Sequence, residues 1–201
     1  APAISSVDAT CFMLAQLEQM GAASARDGRI VQALNFFARR QARDGSIEED
    51  DGVRPVAPVW ASPGQPAAQI YLTANAGFWL ALRDPLTGPA NAAGRFLHNQ
   101  LQKGDALASY VHANWLAAGL WHRLGWMKPF DYAAAYLMRN LETLDSGNLA
   151  WLGVTLLLAD VPPAHTLYAR TVEGLAALQE QDGRWCSADG PRQDAHVTIE
   201  A

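Results

Sequence analysis

Apolar residues recur every three or four positions along almost the whole chain, and nowhere do they settle into a sustained two-residue alternation. That period is the signature of amphipathic helices and excludes a sheet-based fold, so the chain reads as all-α. Eight runs carry it, at 5–20, 29–42, 67–82, 88–102, 107–124, 130–143, 148–159 and 164–181, and a ninth helix starts near the end. Each run stops at a breaker such as "RDGSIEEDDG", "RDPLTG", "GWMKP", "DVPP" or "DGRWCSADGP", where Gly, Pro and Asp disfavour continuation. Helices separated by mostly short loops are expected to stack as antiparallel pairs.

The runs alternate in chemical texture. The third, fifth and seventh, with "YLTANAGFWLAL", "SYVHANWLAAGLW" and "NLAWLGVTLLL", have almost no charge along their middles, so they are expected to be buried on all sides. The second, fourth, sixth and eighth keep a charged stripe and are expected to form an outer layer with one wet face. At 201 residues and 50% hydrophobic, the chain has material for one domain with a substantial core, and 1–201 is read as a single domain.

Composition removes several classes of function. A formal net charge of -5 and a pI near 5.4, with 15 basic residues scattered along the chain, leave no cluster to neutralise phosphates, so no nucleic-acid partner is expected. No run is long and apolar enough to span a bilayer, and "APAISSVDAT" lacks the charged-then-apolar order of a signal peptide. The expected location is cytoplasmic. Cys11 and Cys186 are too few for a disulfide framework and read as reduced thiols. The acidic run Glu48-Glu49-Asp50-Asp51 falls in a polar loop and reads as a solvated charge run.

Two helix endings are written alike. "QARDGSI" and "QEQDGRW" place Gln41 on Gln179, Asp44 on Asp182, Gly45 on Gly183 and Ile47 on Trp185, 138 positions apart. A left-handed glycine after a helix is common and explains Gly45 and Gly183. It does not explain a Gln four residues before each glycine and a bulky residue two after it. Ala74-Asn75 and Ala113-Asn114 also recur, 39 positions apart, as a hairpin repeat would require.

Gln, then Gly, one residue and Trp at the end of an outer helix resembles the repeat motif of the triterpene cyclases and the related protein prenyltransferase beta subunits. The continuation "DGRWCSADGPRQDAHVT" extends the likeness, with Asp194, His196 and Thr198 where that superfamily opens an inner helix with Asp and Thr or Ser. Asp8-Ala9-Thr10 resembles the same opening in the first helix, and the copy at Gln41 departs from the pattern by ending in Ile47. The resemblance implies an alpha/alpha toroid of helical hairpins, with Gln41, Gly45, Gln179, Gly183 and Trp185 as its structural clasps. A ring of six hairpins of about 45 residues each needs roughly 270 residues. This chain would supply about four hairpins and the start of a fifth, so the expected ring is incomplete. Either a partner chain or oligomer completes it, or the chain belongs to a longer one.

What the resemblance implies about chemistry is an isoprenoid or other apolar small molecule in a central cavity. The inner helices would line that cavity with Tyr71, Phe78, Trp79, Tyr110, Trp115, Trp121 and Trp151. Aromatic faces suit an elongated apolar ligand and can stabilise a developing carbocation, though aromatics at helical spacing are equally the stuff of a plain core. His112, beside Asn114 in an apolar helix, is a candidate catalytic residue, with a hydrogen-bonded core histidine as the alternative. The cyclase branch starts by protonating an alkene from an Asp-rich motif, of which Asp8 remains here beside Thr10, and Asp194 is the second candidate acid. The prenyltransferase branch uses zinc to make a thiolate, for which Cys186, Asp194 and His196 are the candidate ligands. Asp194 can equally be a helix N-cap. No cofactor is expected on the cyclase reading. The alternatives are a non-catalytic toroid that binds lipid or protein and a carbohydrate-active alpha/alpha barrel with carboxylates in a polar cleft.

Overall fold

A computed structural model of the chain describes residues 5–22, 27–83, 88–101 and 106–201. Parts of three expected helix breaks, and position 102 at the end of the fourth expected run, lie outside the described residues. The described residues are all-helical, without a strand. Among the described residues nine α-helices follow one another: α1 (Val7–Gln19), α2 (Gly28–Arg40), α3 (Pro66–Arg83), α4 (Gly88–Gln100), α5 (Val111–Arg123), α6 (Met127–Asn140), α7 (Ser146–Leu158), α8 (Thr166–Ala177) and α9 (Asp194–Glu200). None is long and apolar enough to cross a membrane.

Local chemistry sets the helix starts. Ser6, Asp27 and Asp145 each accept a hydrogen bond from a first-turn N–H of α1, α2 and α7, satisfying donors the helix leaves orphaned. His165 does the same for α8 with its ring Nδ1. Asp160 ends α7 in the left-handed region at φ 59°, which Asp tolerates better than most residues, and proline follows two positions later.

The odd-numbered helices pack on one another in sequence, α1 on α3, α3 on α5, α5 on α7 and α7 on α9. The even-numbered helices pack against this row and against each other's neighbours: α2 on α1 and α3, α4 on α3 and α5, α6 on α5, α8 on α7 and α6. This is the inner and outer division that the charge pattern implied. Along α5 every residue from Ala113 to Trp121 is buried, and α3 is buried from Ile70 to Ala81. The outer α2 and α6 bury only one stripe each, Ile30 and Phe37 in α2 and Phe130, Ala133, Ala134 and Leu137 in α6. Each fully buried Phe or Leu contributes about 1.5–3 kcal/mol relative to exposure. The seventh helix differs from expectation. It buries Leu149, Leu152 and Leu156 against its neighbours but leaves Leu157 more than half exposed, because its other side borders open space.

Both repeated endings form the same knot of hydrogen bonds. After α2, Gly45 takes φ +95°; Ala42 N–H donates to the Ser46 carbonyl at 2.8 Å, and the Gln41 amide donates to the Gly45 carbonyl at 3.0 Å. After α8, Gly183 takes φ +88°; Glu180 N–H donates to the Arg184 carbonyl at 2.9 Å, and the Gln179 amide donates to the Gly183 carbonyl at 2.9 Å. Positive φ is cheap only for glycine, hence its recurrence. The bulky residue two positions on is then tied to the next inner helix. Ile47 N–H donates to Thr73 Oγ1 of α3 at 2.8 Å, and Trp185 N–H donates to Thr198 Oγ1 of α9 at 3.0 Å. Ile47 is fully buried, while Trp185 is partly buried and donates its indole N–H to the Leu175 carbonyl at 2.7 Å. The departure from Trp to Ile therefore changes the side chain without changing the backbone tie.

The copies also differ in length. Ile47 and Thr73 lie 26 positions apart, Trp185 and Thr198 only 13. The extra length sits in the connection before α3, which contains two short 3-10 turns, Asp51–Val53 and Val59–Ala61.

Candidate functional site

A cavity of about 1020 Å³ lies along the inner row. Each inner helix gives it one stripe at helical spacing: Asp8, Phe12 and Ala15 from α1; Tyr71, Asn75 and Phe78 from α3; His112 and Leu116 from α5; Asn148, Trp151, Thr155 and Leu158 from α7. Val197 and the exposed Ile199 line it from α9, together with His196. Because Phe12, Leu157 and Ile199 are 58%, 58% and 78% exposed while lining it, the cavity is open to solvent on that side.

Of the expected aromatic lining, Tyr71, Phe78, Trp79, Tyr110 and Trp151 border the cavity. Trp115 and Trp121 do not. Trp115 is fully buried one position off the His112–Leu116 stripe, and it packs edge-on against the rings of His112 at 4.7 Å and Trp151 at 5.4 Å from behind. Trp121 faces the outer layer, where its indole N–H donates to the Gly94 carbonyl of α4 at 3.1 Å. Both are core residues that back the wall.

Asp8 stands at one end of the cavity, in the first turn of α1. Its Oδ2 accepts from the Trp60 indole N–H at 3.2 Å, and its Oδ1 accepts from the Tyr71 hydroxyl at 3.4 Å. Asn75 donates in turn to the Tyr71 oxygen at 3.2 Å, so the phenol is held from both sides. Burial pushes the Asp8 carboxyl above the usual aspartate range, nearby Glu49 adds to the rise, and the bonds from Trp60 and Tyr71 oppose it. Burial, with the Asp8 charge next, drives the Tyr71 hydroxyl upward too, so it remains a donor at neutral pH.

His112 is the second polar group of the wall. Its Nε2 lies 3.1 Å from Asn148 Oδ1, and the Asn148 amide nitrogen donates to Asp145 Oδ2 at 3.0 Å. A carboxylate can only accept, so Asp145 fixes which way the Asn148 amide faces. Its oxygen then accepts a hydrogen bond from the His112 Nε2–H, which leaves Nδ1 as the unprotonated nitrogen of the neutral ring. Burial holds the His112 pKa below the ordinary histidine range against the opposing pull of Asn148 and Asp145, so the neutral ring is favoured. Asp145 Oδ1 also accepts the Asn148 N–H at the start of α7, so both of its oxygens are committed.

Asp194 is not part of this wall. Its Oδ1 accepts the Ser187 N–H at 2.8 Å and its Oδ2 pairs with Arg184 at 2.9 Å, so the buried carboxylate clasps the turn before α9. Both oxygens of this candidate acid are thus engaged in a structural clasp. The Cys186 thiol is exposed and turned to Glu180 Oε1 at 3.7 Å, and slight desolvation with the nearby Asp194 and Glu180 carboxylates raises its pKa against the opposing Arg184. Among the described residues no group of three His, Cys, Asp or Glu side chains is arranged to hold a metal, so Cys186, Asp194 and His196 are not brought together as a ligand set.

Sequence reasoning missed Trp60, Glu49 and Asn148 as site residues. Trp60 had a visible signal, a single large aromatic within the Pro-rich "VAPVWASPGQP". Glu49 was hidden inside a charge run and is in fact buried. Compared with known protein families the chain matches no family model, and no curated protein matches it.

Proposed function

We propose that this chain is an isoprenoid-handling protein built on alpha/alpha toroid hairpins, with cyclase-type acid chemistry at Asp8. The inner row of odd helices, the outer row of even ones and the two matching clasps support the architecture. The observation that carries the chemistry is a cavity walled largely by aromatic and aliphatic side chains, on which the half-buried Asp8 carboxyl, its pKa raised, is held by Tyr71 and Trp60.

The residues divide the work as follows. Protonated Asp8 gives its proton to one carbon of an alkene: the O–H bond breaks, the π electrons form the new C–H bond, and the neighbouring carbon is left cationic. Trp60 and Tyr71 donate hydrogen bonds to the carboxylate that remains, which lowers the barrier to releasing the proton. The faces of Phe78, Trp79 and Trp151 offer negative quadrupoles to the cation. Neutral His112 ends the sequence by taking a proton from the carbon next to the cation, whose C–H electrons become the new double bond. Solvent through the open side takes the proton from His112 and returns one to Asp8.

Incubating the protein with squalene and with polyprenyl diphosphates, read by mass spectrometry, tests the reading. A cyclised product that disappears in Asp8→Asn is the expected result. Saturable binding with no product identifies a lipid-binding toroid instead, and neither binding nor product from any of these substrates sinks the isoprenoid reading.

A further inference from the structure

The length difference between the two clasps has a location. The extra residues between Ile47 and Thr73 place two side chains on the first turn of α1, a helix they do not belong to. Glu49 is buried, and its carboxylate accepts the Ser6 hydroxyl at 2.6 Å, the Val7 N–H at 2.9 Å and the Asp8 N–H at 2.9 Å. It thus takes up the orphaned donors of the helix start and fixes the backbone that carries Asp8. Trp60, half exposed on the 3-10 turn Val59–Ala61, reaches the Asp8 side chain and bonds its Oδ2. The turn is itself braced by the Tyr110 hydroxyl, which donates to the Val59 carbonyl at 3.4 Å. In the second clasp the shorter connection carries no such pair; Arg184 and Ser187 instead bond the Asp194 carboxylate within the turn itself.

From this geometry we infer that the long α2–α3 connection is a device for setting the acid: Glu49 and Trp60 are positioning residues for Asp8, acting on it with opposite electrical sense. Glu49 brings a buried negative charge beside the carboxyl and favours its protonated form. Trp60 brings an N–H to the carboxylate oxygen and favours the ionised form. The remaining titratable groups that interact with Asp8 are Cys11, one turn on in α1, and Tyr71 from α3; burial keeps both protonated at neutral pH, so neither competes in charge with Glu49. Glu49 favours the protonated acid and Trp60 the anion left after proton release, so the connection sets the balance between the two forms. This deepens the cyclase reading and rests on Asp8 being the proton donor, but its readout does not need turnover.

The test is a carboxyl carbon NMR titration of the purified chain, with the Asp8 resonance assigned by its loss in Asp8→Asn. Glu49→Gln is expected to move the Asp8 midpoint to lower pH by about half a pH unit or more, and Trp60→Phe to move it to higher pH by about the same. A purely structural role for the two residues would loosen α1 and move both midpoints in the same direction or not at all, and that result overturns the inference. If Glu49→Gln does not fold, the half-exposed Trp60→Phe decides alone: an unchanged or lowered midpoint rejects the proposal. Opposite movements without isoprenoid turnover would leave the positioning role standing and reject only the catalytic reading.

Discussion

The side-chain amide of Gln41 donates to the carbonyl of Pro89 at 3.0 Å, joining the end of one outer helix to the first turn of the next across 48 positions of chain. Gln179 has the same bond to its glycine and no such second bond to an outer helix. Gln41→Ala is therefore expected to cost about 1–2 kcal/mol, since it strands two carbonyls in partly buried surroundings, while Gln179→Ala costs about 0.5 kcal/mol or less. Urea denaturation of the two variants checks the ranking, which equal losses would refute.

The two glycines should also separate. A Cβ at Gly45 would stand 2.2 Å from the Ala92 carbonyl oxygen of α4, whereas one at Gly183 meets nothing within 4 Å. Both substitutions carry the left-handed penalty of about 1–2 kcal/mol. Gly45→Ala should lose at least about 2 kcal/mol more, because the backbone of α4 must retreat. Thermal unfolding measures the gap, and a Gly45→Ala variant as stable as Gly183→Ala would contradict the packing described.

Asp8 should behave as a residue kept at the expense of stability. Its folded pKa is raised above the unfolded value of 3.8, so the folded state binds the proton more tightly and loses stability as pH rises through the folded value. Asp8→Asn is expected to be at least as stable as the parent at pH 7 and clearly less favoured relative to it at pH 3, while abolishing product formation. Melting curves at the two pH values settle it; a variant destabilised mainly at pH 7 would show that the charge is welcome there.

His112 gives the opposite slope. Its folded pKa is lowered below the ordinary 6.5, so the neutral ring contributes stability that is complete above that value and is lost as pH falls through it toward the folded value. His112→Gln should flatten this part of the stability curve below pH 6.5. An unchanged curve in the variant would mean that another group carries the acid sensitivity.

How much of this was legible in the sequence follows from what each signal measures. Helix periodicity reports burial, and burial is what holds α3 and α5, so their extents and inner placement were readable within a few residues. It does not report what lies on the far side of a buried stripe. That is why Trp115 and Trp121, apolar on an inner helix, were expected in the cavity and stand behind it or face α4 instead. The clasps were readable because they are local, five or seven residues whose spacing alone makes the knot. Glu49 was unreadable for the reverse reason: its partners Ser6, Val7 and Asp8 are more than 40 positions away, and among four acidic neighbours nothing in the spacing marks the one that folds inward.

The unequal clasps also set an order in which the molecule comes apart. The first is sealed by buried Ile47 and Ser46 and pinned to α4, whereas the second lies in exposed turns and holds only the seven-residue α9. Amide protons of Glu180, Arg184 and Trp185 should therefore exchange with solvent through a local opening that leaves α3 and α5 intact, well before the amides of Ala42 and Ile47. The chain would loosen first at its last helix, and the wall of the cavity built by α3 and α5 would outlast the part that α9 supplies.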